Sequence, residues 1–137
     1  MPSTRIDLDA APWTPVSPFY GPDSIYHGRE LFELKILSDR RAQGGGIAWL
    51  LKSMPPAGKL IKIVAVALSD EHVVPLEGGR ATKSGAPIRA AGGYTLNPKG
   101  QPHSAFIGQE SLTLVIYSGE PDEITAIEVV DAAKAAE

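Results

Sequence analysis

Cysteine is absent from the 137 residues, which excludes disulfides, thiolate metal sites and a cysteine nucleophile. There is no run of lysine or arginine and the formal net charge is -3, so the footprint of a nucleic-acid binder is missing. No apolar stretch reaches the length of a membrane span, and no membrane partner is expected. The first twenty residues carry Asp7, Asp9 and four prolines where a secretory leader would carry an apolar segment, so the cytoplasm is the expected location. Histidine is scarce as well: His27, His72 and His103 are the whole supply. A mononuclear metal site takes three or more converging N/O ligands, so a conventional imidazole-rich centre has little to draw on.

What is present is a globular composition, 43% hydrophobic and 21% charged, in one expected domain over 1–137. The 14 glycines and 12 prolines fall between short apolar runs, the punctuation of an all-β chain. Residues 1–28 read as an extended, proline-rich N-terminal arm, 31–130 as a barrel, and 131–137 as a short Ala-rich tail of helical character. From Leu31 to Leu37, Phe32, Leu34 and Ile36 alternate with charged Glu33 and Lys35, the period of a half-buried strand. Further strands are expected over 47–52, 60–68, 73–76, 93–96, 112–117 and 124–130. Seven or more short strands between turns indicate a sandwich or barrel, and the pattern alone does not choose among them.

Two spaced motifs narrow the choice. Gly92 is followed by five residues, then Pro98-Lys99-Gly100, two residues and His103. Pro98 and Gly100 suit a tight turn with one fixed and one permissive φ, after which the next strand carries the histidine inward. Upstream, Gly58, Glu71 and Gly78 stand at the spacing of a second motif. Together these segments resemble the two conserved motifs of the RmlC-like cupins, and the phrasing Leu34–Leu37, Gly46–Leu50, Pro55–Gly58 and Gly92–Tyr94 is similar to the small single-domain ChrR-like cupin group. The resemblance implies an all-β cupin fold, a double-stranded β-helix or jelly-roll-like barrel. It also implies metal-binding histidines at two positions of the upstream motif. Here those positions are Val64 and Val66, or Ala65 and Ala67 in the alternative spacing, and the asparagine that closes the other motif is replaced by Ile107.

Of the residues at ligand positions of the resemblance, only Glu71 and His103 keep polar chemistry. As a pair they are candidates for general acid–base work, or form a hydrogen-bonded buried remnant of a metal site. In a strand His72 points away from the side to which Glu71 points. Val64, Val66, Trp49, Tyr94 and Phe106 are candidates to line a ligand cavity, against the alternative that the aromatics simply fill the core. Arg40-Arg41 and His27 read as surface residues. No cofactor is favoured; a divalent Fe, Ni, Zn or Mn on Glu71 and His103 is the minority alternative.

The expectation is a cupin that binds a small apolar or aromatic organic molecule and transforms it, if at all, by metal-independent isomerase- or lyase-like chemistry. The alternatives are a ChrR-like metal-dependent dioxygenase with an atypical ligand set, and a non-catalytic regulatory or structural cupin. The resemblance also implies a homodimer, with the arm long enough to reach a second copy.

Overall fold

The computed structural model describes residues 2–88 and 91–131. Among the described residues twelve strands run in the order β1 (Thr14–Pro15), β2 (Ile25–Tyr26), β3 (Arg29–Glu30), β4 (Phe32–Asp39), β5 (Ile47–Ser53), β6 (Lys59–Val66), β7 (Glu71–Glu77), β8 (Arg80–Ala81), β9 (Thr95–Asn97), β10 (Pro102–Ile107), β11 (Ser111–Tyr117) and β12 (Glu123–Asp131). They form a six-stranded sheet in the order β1-β4-β5-β11-β7-β9, a four-stranded sheet in the order β12-β6-β10-β8, and the small hairpin β2-β3. Every pairing between these strands is antiparallel.

Alternation drives the long strands. On β11, Ser111, Val115 and Tyr117 are buried while Ile116 is exposed, so one face of the strand turns to the interior. Pro75 lies inside β7, where it cannot donate to the ladder, and the β7–β11 register shifts at Leu112/Thr113, the latter being its partner. The core gathers Val16, Phe32, Leu34, Ile47, Trp49 and Tyr117, all with 1% exposure or less.

The arm belongs to this core. β1 pairs with β4 of the same chain, Thr14 opposite Leu34, and so covers that sheet edge. A single helical turn, α1 (Ser17–Tyr20), begins with a proline in its first turn, where no N–H partner is needed, and buries Tyr20. Trp13 lies beneath the ammonium groups of Lys35 and Lys52, 4.8 and 4.6 Å from its ring centre. The tail beyond Asp131, for which helical character is expected, is outside the described residues. No described helix is long and apolar enough to cross a membrane.

Candidate functional site

A cavity of about 200 Å³ opens between the two sheets. Its walls are mainly apolar, with Leu51 and Val115 from the larger sheet facing Ile63, Ala65 and Ala105 from the smaller. One end is acidic and carries Glu71, Asn97, His103 and Asp122.

Three loops build that end. Pro98 to Gln101 form a turn closed by the Gln101 N–H on the Pro98 carbonyl at 3.0 Å, with Gly100 at φ 89° in the position that favours glycine. The turn is held to the loop before β7, since the Lys99 N–H donates to Asp70 Oδ1 at 3.0 Å and the Gly100 N–H to the Ala67 carbonyl at 2.7 Å. The loop between β11 and β12 joins the same knot. The Asp70 N–H donates to Ser118 Oγ at 3.0 Å, and Ser69 Oγ donates to the Glu120 carbonyl at 2.8 Å. Glu71, His103 and Asp122 therefore each follow a turn at the same end of the barrel.

His103 Nε2 lies 2.7 Å from Asp122 Oδ2 and 3.5 Å from Glu71 Oε1. Both carboxylates are buried, whereas the imidazole keeps a side open to the cavity. Neither contact is aligned as a hydrogen bond, so Nε2 stands in the fork between two acids, and Asp122 Oδ1 is also buried without a hydrogen-bond partner. The 2.7 Å contact lies off the ring N–H direction and becomes an ion pair when the imidazole is protonated. Glu71 Oε1 is held by the Asn97 amide, which donates to it at 2.8 Å across the Glu71–Asn97 strand pair.

These surroundings move protons. Asp122, first among the causes, raises the affinity of His103 for a proton above that of an ordinary imidazole. Burial first, and then the charge of Asp122, pushes the Glu71 carboxyl above the usual carboxylate range. Burial likewise raises the hydroxyls of Tyr20 and Tyr117, which lie within electrostatic reach of Glu71.

The three acceptor atoms of Glu71, His103 and Asp122 lie within 4.8 Å of one another. One imidazole nitrogen and two carboxylates form an N/O donor set that fits a divalent cation, and the unpartnered Nε2 and Oδ1 are atoms such an ion would satisfy.

Of the residues singled out from sequence, Glu71 and His103 meet. His72 faces the other way from Glu71, with Nδ1 2.7 Å from the Tyr94 hydroxyl and the two rings stacked, so Tyr94 lies at the surface, 59% exposed. Trp49 is fully buried among Phe19, Tyr20 and Tyr117 and is not part of the cavity wall. Phe106 lies on the face of β10 opposite His103 and does not line the cavity. Val64 and Val66 are likewise off the wall; Ala65, directly paired with His103, is on it. The alternative spacing of the upstream motif is therefore the one whose Ala65 faces the site. Arg41 is bound at the surface by Asp39 and Glu120, and His27 is exposed in the β2–β3 turn.

Sequence reasoning missed Asp122, Asn97 and Arg80, which also lines the cavity. Asn97 was within reach, as the residue just before Pro98; Asp122 sits in a loop with no motif around it.

No protein-family model and no curated protein matches the chain. Solved structures do. One is a protein of unknown function with a cupin-like fold from Ralstonia eutropha JMP134, with TM-score 0.62 and 17% identity over 99% of this chain and 83% of that one. A second is an RmlC-like cupin protein from the same organism, with TM-score 0.59 and 18% identity over 99% and 83%. The chain has the cupin fold. A third similar structure is the polyketide cyclase RemF from Streptomyces resistomycificus, with TM-score 0.57 and 17% identity over 96% of this chain and 91% of that one.

Proposed function

We propose that this cupin binds a small organic molecule in its barrel and moves a proton on it, in isomerase-, lyase- or cyclase-like chemistry. The observation that carries the reading is the fork of Glu71 and Asp122 about His103 at one end of a cavity with apolar side walls. Asp122 favours the protonated form of His103, which gives its proton to a carbonyl oxygen. Asn97 and Tyr117 orient the Glu71 carboxylate, which takes a proton from the adjacent carbon. The product is an enol. Reprotonation at another carbon isomerises the substrate, loss of a β-substituent completes an elimination, and attack on a second carbonyl closes a ring. The apolar walls exclude water and strengthen both charges.

The test is hydrogen–deuterium exchange, followed by NMR in D2O on a panel of small ketones and keto acids. The expected result is exchange at the carbon beside the carbonyl, reduced roughly 10²–10⁴-fold by His103→Ala or Glu71→Gln. Absence of exchange across the panel, or exchange unaffected by both variants, would overturn the reading.

The two unpartnered atoms favour a second reading, in which Glu71, His103 and Asp122 hold a divalent cation. Bound there, the ion would polarise an oxygen of the ligand as a Lewis acid. About one equivalent of metal in untagged protein, lost in Asp122→Ala with the fold intact, supports this reading over the first. The ChrR-like grouping belongs to this second proposal and stands or falls with it.

A further inference from the structure

The cavity has a second polar end. Arg80 comes from β8, pairs across to Ile107 of β10, and so shares the inward face of Ile107 and His103. Ile107 lies four positions beyond His103, placing the two pairs about 13 Å apart along the strand. A close approach sets Arg80 there. Gly79 has φ 96°, and a Cβ on it would lie 2.3 Å from Ser111 Cβ, so only glycine lets this hairpin press onto the start of β11. The hydroxyls of Ser53 and Ser111, themselves a cross-strand pair, line the same end.

Among the described residues the side chain of Arg80 has no ion-pair partner, and its Nε is buried without a hydrogen bond. Arg80 is half-buried, and a guanidinium on a cavity wall with its Nε buried and no carboxylate on it is placed to take an anion from that cavity. Glu71 and Asp122 do not supply it, since Glu71 is engaged with His103, Asn97 and Tyr117, and Asp122 with His103. Its field does reach the acidic end, where it opposes protonation of His103.

We infer that Arg80 anchors an anion and that the ligand of this barrel is a small organic carboxylate. Its carboxylate pairs with Arg80, its apolar body lies along Ile63 and Val115, and its reactive carbon faces His103. The planar guanidinium matches a carboxylate in a two-bond fork. A single negative charge suits the cavity better than the double charge of a phosphate ester, because Glu71 and Asp122 already make the far end negative. The inference deepens the proton-transfer reading by naming the substrate class, and it rests on that reading only for what happens at His103.

The experiment is calorimetric or NMR titration with matched probes: benzoate against benzamide, hexanoate against hexanamide, and phenyl phosphate. The expected result is binding of each carboxylate roughly tenfold or more tighter than its amide. Arg80→Met abolishes that preference, Arg80→Lys keeps part of it, and His103→Ala leaves it in place. Thermal melting of the Arg80 variants shows that they are folded; should Arg80→Met fail to fold, the Lys variant decides, by a weakened preference. Equal binding of acid and amide, a preference that survives Arg80→Met, tighter binding of phenyl phosphate, or no saturable binding of any probe would each overturn the inference. A carboxylate preference with no proton exchange would leave the anchor standing and remove only the chemistry at His103.

Discussion

Asp122 decides how His103 behaves. Without that carboxylate the imidazole would keep only Glu71 at 3.5 Å, itself inclined by burial to hold a proton. Asp122→Asn therefore lowers the His103 titration midpoint toward the ordinary 6.5. The measurement is the pH dependence of the His103 ring signals by NMR on chelator-treated protein; an unchanged or higher midpoint would contradict the role given to Asp122. His27 and His72 are internal controls, since neither touches the fork. Phe106, by contrast, shows how an aromatic on a strand can lie one residue off the functional face.

Elements carry the site through their turns, and two glycines separate shape from space. Gly100 and Gly79 both have positive φ, yet a Cβ at Gly100 meets nothing within 4 Å whereas one at Gly79 collides with Ser111. Gly100→Ala is expected to cost about 1 kcal/mol, the strain of a left-handed alanine alone. Gly79→Ala adds the collision and costs on the order of 2–4 kcal/mol. Urea denaturation checks the order; equal losses would mean that the β8 hairpin simply moves aside. Legibility in the sequence followed the same line. β4 carries enough alternation, β5 and β11 enough apolar run between turns, and Pro98-Lys99-Gly100 enough turn chemistry, to be read directly. The two-residue strands β1, β2, β3 and β8 are too short to show a period. The run through β6 is apolar at nearly every position, so its inward phase, Ile63 and Ala65 rather than Val64 and Val66, is set by pairing with β10 and not by pattern. Asp122 and Arg80 enter the cavity only because distant turns close on one another, which no local window contains.

At the scale of the whole molecule, proton uptake at the fork couples to stability. Glu71 and His103 are both raised in the folded state, so the native protein binds protons more tightly than the unfolded chain at both sites. By linkage each contribution is fully present below its unfolded value, 4.5 for Glu71 and 6.5 for His103, and is lost as pH rises through the folded value. The exposed Asp39 acts in the opposite sense, since Arg41 lowers its carboxyl; its contribution is lost as pH falls. The metal-free protein is thus expected to be most stable in mildly acidic solution and to weaken as pH rises from about 4.5 toward and beyond neutrality. Denaturation midpoints across pH check this, and the slope flattens in the Glu71→Gln, His103→Gln double variant. A midpoint that climbs steadily from acid to neutral pH would contradict it.

The knot of turns at one end and the glycine-backed hairpin at the other share no loop. Glu71, His103 and Asp122 depend on the loops around 67–70, 97–101 and 118–122, while Arg80 depends on the approach of Gly79 to Ser111. On the proposed reading, recognition and reactivity therefore rest on separate parts of this barrel. Descendants of one such chain could change what they hold by altering β8 while keeping the proton chemistry, or change the chemistry at the fork while still gripping the same class of molecule.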